Sequence, residues 1–339
     1  MTYICWHRSS PAAYSPDKYG GVNRQGNIMI NGIINVYKER GYTSFDVVAK
    51  LRGILKTKKI GHTGTLDPEA EGVLPICVGK ATKVCGLLTD KDKEYEAVML
   101  LGRTTDTQDT TGTVLLERPV TVTEAKVREA AARFVGDYEQ VPPMYSALKV
   151  NGKKLCDLAR AGVTVERAAR RVHIYEIEME DISLPRVKMR VRCSKGTYIR
   201  TLCEDIGEVL GCGACMEALV RTRVSEFGIC DALRLSEIEQ KVGECAGDIP
   251  PGEWETGMFD FIRSVDSVFL HLEKAIIKRE WNTLLYNGNR MSPEAFADYR
   301  GSLKQAQIRV YDEEGHFIGI YEYSSDRGDY KPVKVFMEA

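Results

Sequence analysis

Residues 186–193 alternate without a break: Arg186, Lys188, Arg190 and Arg192 interleave with Val187, Met189, Val191 and Cys193. Successive side chains of a β-strand point to opposite faces, so this period of two buries one apolar face and leaves the other wholly basic. Two readings of the basic face stand side by side. It is an edge strand guarded by positive charge, or a surface turned toward RNA.

Around this strand the pattern is mixed. Thr43-Ser44-Phe45-Asp46 carries a helix-starting cap, followed by Val47, Val48, Leu51, Ile54 and Leu55 on one face. Strands are predicted over 28–37, 95–101, 113–116 and 171–178. Helices are predicted over 124–135, closed by Gly136, and over 201–210, closed by Gly211. Strands and helices without regular βα alternation argue for an α+β sheet domain. Residues 1–27, with Pro11, Pro16, Gly20, Gly21 and Gly26, read as a disordered leader, and 28–242 as the main domain. Pro250-Pro251-Gly252 marks 243–262 as a linker, and 263–339 follow as a small β module whose hairpin turns at Glu314-Gly315.

Bulk properties narrow the function classes. Lys and Arg number 47 against 48 Asp and Glu, a net charge of −1, so a polyanion would have to be met by a local basic patch. No run reaches the roughly 18 apolar residues that span a bilayer, and residues 1–27 lack the apolar centre of a secretory signal, which points to the cytoplasm. Ten cysteines are scattered singly except for Cys212 and Cys215, and no second Cys/His pair completes a zinc site, so no metal is expected. Residues 142–170, rich in Lys and Arg, read as a solvated loop with a short helix.

The candidate for chemistry is Gly61-His62-Thr63-Gly64-Thr65-Leu66-Asp67-Pro68. The glycines allow sharp turning and close approach of a ligand, and Pro68 biases Asp67 toward extended geometry, so one carboxylate is held in a glycine-rich loop. By composition alone it is also an ordinary surface turn. A nucleotide-cradling loop is set aside because the Gly-Lys-Ser/Thr ending is missing.

That string, continued by Glu69-Ala70-Glu71-Gly72-Val73-Leu74-Pro75, closely resembles the active-site motif of the TruB family of tRNA pseudouridine synthases. Further motifs follow in the family's order: Lys93-Glu94-Tyr95-Glu96-Ala97, Thr105-Asp106-Thr107-Gln108-Asp109, Pro142 to Lys149, and Cys193 to Arg200. The resemblance implies a pseudouridine synthase fold, a mainly antiparallel mixed sheet flanked by helices with a central cleft. A PUA-like C-terminal module and a 142–170 arm that grips RNA are implied with it. It implies base flipping and conversion of tRNA T-loop uridine 55 to pseudouridine, with Asp67 as the catalytic aspartate. Tyr95 would stack on the extruded base, Tyr198 lie against it and Arg200 pair with Asp67. His62 would help open the T loop and Leu219 close the pocket.

No cofactor and no protein partner are implied, and a monomer is expected. Since every pocket residue precedes Val220, the chemistry is expected to be separable from the C-terminal part. Two departures stand out: Tyr37-Lys38-Glu39-Arg40-Gly41 where many members have Asp-Lys-Pro, and Cys156 where the arm usually has Tyr. Two alternatives remain, a guide-RNA-dependent relative and a non-catalytic tRNA-binding or folding factor.

Overall fold

The computed structural model describes residues 21–22, 28–297 and 306–336. The leader expected over 1–27 lies outside the described residues except for Gly21–Val22, which pairs with Ile28–Met29.

One ten-stranded sheet organises the main body. Its strands are β1 (Gly32–Lys38), β2 (Ile60–His62), β3 (Glu71–Val78), β4 (Lys93–Leu101), β5 (Gly136–Gln140), β6 (Arg170–Ser183), β7 (Arg186–Cys193), β8 (Ala214–Val224), β9 (Phe227–Gly228) and β10 (Ile262–Arg263). They run in the order β10-β1-β3-β8-β4-β7-β6-β5, with β2 added to β3 and β9 to β8. Every pairing is antiparallel except β3 with β8, which meet in parallel over Glu71↔Val220 and Gly72↔Arg221. The sheet thus has two halves joined along one short seam.

Gly72 makes that seam possible. Its φ is +103°, and a Cβ there would lie 2.3 Å from the Arg221 carbonyl oxygen. Only a residue without a side chain allows the two backbones so close in this conformation.

The longer helices among the described residues are α1 (Ser44–Ile54), α2 (Glu124–Ala132), α4 (Ile199–Leu210) and α5 (Leu235–Ala246), while the short α3 (Leu155–Arg160) belongs to the 142–170 arm. The capping box expected at α1 is present: the Asp46 N–H donates to Thr43 Oγ1, and the Thr43 N–H donates to the Asp46 carboxylate at 2.8 Å. Gly211 ends α4 in the left-handed conformation at φ 74°. No helix among the described residues is long and apolar enough to cross a membrane.

The edge-strand reading of the basic strand does not hold. β7 is interior, between β4 and β6, so it is not an edge. Its cations are met by carboxylates on other strands of the sheet: Arg186 by Glu217 of β8 at 2.7 Å, Lys188 by Glu180 of β6 at 2.6 Å and Glu96 of β4 at 3.2 Å, and Arg190 by Glu180 at 2.7 Å and Glu178 at 3.2 Å. Arg192 sits between Glu94 and Glu176 in register and stacks on Tyr175. The pattern of one strand shows its own face but not the charges of its partners.

The C-terminal part holds a four-stranded sheet of β11 (Glu273–Ile276), β12 (Gln307–Tyr311), β13 (Phe317–Ser324) and β14 (Asp329–Val335) in that order. It is fused to the main body. Phe269, Ile320 and Phe336 share a buried cluster with Ile33, Val73, Cys77 and Phe227. Lys83 Nζ donates to the Val335 carbonyl at 2.8 Å, and Lys334 Nζ returns a bond to the Lys83 carbonyl at 2.6 Å.

The stretch read as linker is packed as well. It begins inside α5, and Trp254, Phe259 and Ile262 fill a second cluster with Val47, Leu51 and Ile238. Proline and glycine signal a break in regular structure there, but not the burial of the aromatic residues between them.

Candidate active site

The Gly61–Pro68 segment leaves β2 and returns at β3, pinned from several sides. The Leu66 N–H donates to Ser44 Oγ at 2.8 Å, and that hydroxyl donates to the Leu66 carbonyl at 3.2 Å. The Pro68 carbonyl accepts from the Gly41 N–H at 2.9 Å and from Lys38 Nζ at 3.2 Å. These bonds hold the backbone on either side of Asp67, leaving its side chain 41% exposed.

Arg200, in the first turn of α4, brings Nε to 3.0 Å from Asp67 Oδ2. Its own side chain is only 5% exposed. Nη1 donates to the Thr107 carbonyl at 2.8 Å and Nη2 to the Tyr145 carbonyl at 2.7 Å, while Asp109 Oδ2 lies 3.7 Å from Nη1. Three separate sequence motifs therefore meet at one guanidinium. A planar fork with fixed donor directions, held on two sides by carbonyls, can point its third edge at a carboxylate with little freedom to swing.

Around this pair lies a cavity of about 360 Å³. Asp67, Tyr95, Tyr198, Arg200 and Leu219 all line it, five of the six residues singled out from sequence. His62 does not. It sits half-buried at the start of the loop with Nδ1 buried and unpartnered, and burial, then the nearby Arg221, depresses its basicity. Tyr95 faces the cavity from β4, and burial raises its phenol above the ordinary value. Tyr198 precedes α4, its phenol likewise raised by burial.

The residues that hold these groups were not singled out from sequence. Gln140 grips Tyr198 at both backbone ends: the Tyr198 N–H donates to Gln140 Oε1 at 2.7 Å, and Gln140 Nε2 donates to the Tyr198 carbonyl at 3.0 Å. Lys93 lines the cavity two residues before Tyr95, and burial lowers it to about 8, with its Nζ bonded to the Thr89 and Lys91 carbonyls at 2.5 Å each. Lys38 is fully buried and also lowered to about 8 by burial. Arg221 lines the cavity two residues after Leu219 and is 1% exposed. Residues two apart on a strand share a face, so the positions of Lys93 and Arg221 were readable from Tyr95 and Leu219.

The departure at Tyr37–Gly41 forms a brace. Tyr37 OH donates to Glu71 Oε2 at 2.8 Å, Arg40 pairs with Glu69 at 2.6 Å, and Glu39 pairs with Arg234 at 2.7 Å. Ion pairs and a phenol thus hold the loop's far side.

The arm over 142–170 contains a tight hairpin, Lys149–Val150 with Lys153–Lys154, turning at Asn151 and Gly152 with φ of 51° and 80°. Asn-Gly with two positive φ angles is the favoured two-residue hairpin turn. Lys149, Lys153 and Lys154 are exposed and, among the described residues, have no ion-pair partner.

The module's lysines are differently employed. Lys331 pairs with Glu322 at 2.9 Å and Lys334 is the docking bond to Lys83. Asp312, Glu314 and His316 are the one metal-like trio among the described residues. Asp312 is already taken by the Tyr286 hydroxyl at 3.1 Å and by the backbone and Nδ1 of His316, which makes the trio a hydrogen-bonded turn.

Comparison with known proteins agrees with this geometry. Residues 52–199 match the TruB family pseudouridylate synthase N-terminal domain, and residues 200–269 match the tRNA pseudouridylate synthase B C-terminal domain. The chain is 52% identical to the tRNA pseudouridine synthase B of Lachnoclostridium phytofermentans, over 91% of this chain and 100% of that one. It is 43% identical to that of Alkaliphilus oremlandii, over 90% of this chain and 97% of the other. Among solved structures, one of a Cbf5-Nop10-Gar1 complex superposes with a TM-score of 0.66 at 28% identity, covering 90% of this chain and 85% of that one. Family matches, relatives and the convergence of the motifs on one cavity agree: the chain belongs to the TruB family of pseudouridylate synthases.

Proposed function

We propose that this enzyme isomerises a tRNA uridine to pseudouridine, at position 55 of the T loop, using Asp67 as its catalytic carboxylate. The observation that carries the reading is Asp67 held 3.0 Å from a buried, doubly anchored Arg200 at a cavity that Tyr95, Tyr198 and Leu219 also line. The volume falls in the range of a ligand pocket and is closed to a duplex, so the uridine enters flipped out of its stack. Tyr95 offers its face to the base, Leu219 an apolar wall, and Tyr198 a second aromatic surface. His62, outside the cavity, is left with a role at the T loop.

The reaction breaks the bond from ribose C1′ to uracil N1, turns the base, and forms a bond from C1′ to C5. The C5 proton is lost and N1 gains one, so atoms and electrons balance without a redox cofactor. A carboxylate serves whether it attacks C1′, adds to the ring or removes a ribose proton, and each route needs it ionised beside a fixed cation. The exposed Lys149, Lys153 and Lys154 supply the local positive patch for the tRNA backbone.

A stand-alone, monomeric, cytoplasmic enzyme is favoured over the guide-RNA-dependent alternative. The relatives named for action on tRNA match at 38–52% identity, and the structures of an H/ACA RNP and of a Cbf5-Nop10-Gar1 complex at 26–28%. The intact Asp67–Arg200 pair speaks against a purely binding role. The test is incubation with an unmodified tRNA transcript and mapping of pseudouridine. Modification at position 55 is expected, and Asp67→Asn should abolish it with tRNA affinity kept within about tenfold. Turnover by that variant, or modification elsewhere, would overturn the assignment.

A further inference from the structure

Arg200 is addressed from both sides of one residue that does not itself touch it. The Thr107 carbonyl accepts from Nη1 at 2.8 Å, and the Asp109 carboxylate lies 3.7 Å from the same nitrogen. Gln108, between them, holds the left-handed backbone conformation at φ 64°. Residues other than glycine, asparagine and aspartate adopt it rarely, and a long side chain gains nothing from it locally. The turn lets residues 107 and 109 face the guanidinium while the Gln108 side chain runs to α4.

There the amide is engaged at both ends. Oε1 accepts from Thr201 Oγ1 at 2.7 Å, and Nε2 donates to the Glu204 carboxylate. Thr201 and Glu204 are three residues apart, so they stand on one face of α4, about a turn from each other. A carboxamide accepts at one end and donates at the other. Glutamate at 108 would set a carboxylate against Glu204, and methionine would bond to neither group. The backbone end is equally definite. The Gln108 carbonyl accepts from the Met216 N–H at 2.9 Å, and the Thr110 N–H donates to the Met216 carbonyl at 3.0 Å. Met216 belongs to β8, the strand that also carries Leu219. Gln108 thus meets the sheet through its backbone and α4 through its side chain.

We infer that Gln108 is a positioning residue: by gripping Thr201 and Glu204 it fixes the rotation of α4 about its axis, and so the point at which Arg200 presents Nε to Asp67. Arg200 immediately precedes Thr201, so turning one carries the other. A helical side chain extends about 5–6 Å from the helix axis, and a rotation of about 10° would move the guanidinium by about 1 Å. A displacement of that size costs about a hundredfold in rate. The two carbonyls that anchor the guanidinium, of Thr107 and Tyr145, both lie outside regular strands and helices. Gln108 ties one of those loops and the helix to the same strand. It does not line the cavity, so its effect on the reaction passes through Arg200. The inference rests on the roles proposed for Asp67 and Arg200 and adds the residue that registers one against the other.

The experiment is single-turnover pseudouridine formation on tRNA transcript. Gln108→Met should slow the reaction about ten- to a hundredfold while tRNA affinity stays within about threefold, because the cavity lining is untouched. Thr201→Val should reproduce a large part of that loss. Thr201→Ser, which keeps the hydroxyl, should stay within about twofold of the parent. In an Arg200→Lys background, Gln108→Met should cost less than about threefold, because the fork it positions is gone. Full additivity in that background, or a Gln108→Met rate within about twofold of the parent, would overturn the inference. Equal losses in rate and in tRNA affinity would make Gln108 a support of the fold at large and overturn it too.

If Gln108→Met fails to fold, the Thr201 pair decides: equal rates for Thr201→Val and Thr201→Ser would overturn the inference. Pseudouridine formed by the parent in the same assay leaves the site assignment standing in each of these cases. Its absence would remove the assignment and the inference together.

Discussion

Gly72→Ala tests whether the seam between the two half-sheets aligns the catalytic groups. The new Cβ would lie 2.3 Å from the Arg221 carbonyl oxygen. Carbon and oxygen approach to only about 3.3 Å even in close backbone contacts, so the seam must open by roughly 1 Å. Alanine at a φ of +103° adds about 1–2 kcal/mol of backbone strain, and forcing packed structure apart adds about 1–3 kcal/mol. The sum, about 2–5 kcal/mol, is a large part of the roughly 5–15 kcal/mol that holds a domain together.

The effect on activity is worked separately. Asp67 is carried by the β3 side of the seam and Arg200 by α4, which follows β7 on the other side. A 1 Å displacement would lengthen their 3.0 Å contact to about 4 Å, a misplacement of the kind that costs about a hundredfold in rate. Urea denaturation and pseudouridine formation on transcript at saturating tRNA read the two effects. A variant within about 0.5 kcal/mol of the parent in stability and twofold in rate would refute the argument.

Truncation after Met258 should give an insoluble or unfolded protein, because it removes β10 and uncovers Ile33, Val73, Cys77 and Phe227; a soluble, active truncated enzyme would show that the shared core is dispensable. Lys38, lowered from 10.5 to about 8, holds fewer protons folded than unfolded between those values, so its burial penalty is present below about pH 8 and is relieved as pH rises through that window. Urea midpoints from pH 7.5 to 10 should therefore rise more for the parent than for Lys38→Met, and parallel curves would contradict this. Replacing Lys149, Lys153 and Lys154 by alanine should weaken tRNA binding and reduce the slope of log affinity against log salt by about 2–3, since each phosphate contact contributes about 0.7–0.9. An unchanged slope would remove the arm from the RNA interface.

What the sequence revealed depended on where the information was stored. The α1 cap, the Gly211 terminator and the alternation of β7 are local signals, and each appears in the structure because a cap or a period of two is settled within a few residues. The motifs carrying Asp67, Tyr95, Tyr198, Arg200 and Leu219 were readable for a different reason, a resemblance that spans most of the chain. Partnerships between distant segments were hidden. Nothing beside Arg186–Cys193 signals the glutamates of β4 and β6 that cancel its charge, and nothing near Gln140 says that it will grip Tyr198. Lys334 illustrates the same limit: nothing around it in the sequence signals that its Nζ donates to the Lys83 carbonyl.

The cancelled charges of β7 bear on how a substrate finds the enzyme. Lys188 and Arg190 share Glu180, so that patch presents alternating signs a few ångströms apart, whose fields largely extinguish one another within a Debye length of about 8 Å. The three arm lysines have no such counterweight. With a net charge of −1 the molecule exerts almost no pull as a whole, yet the arm offers three exposed lysines that no carboxylate pairs with among the described residues. A tRNA drifting nearby would thus feel a turning force before it feels attraction. Collisions with the β7 face should be brief, those with the arm should persist, and the choice of binding orientation is made during approach.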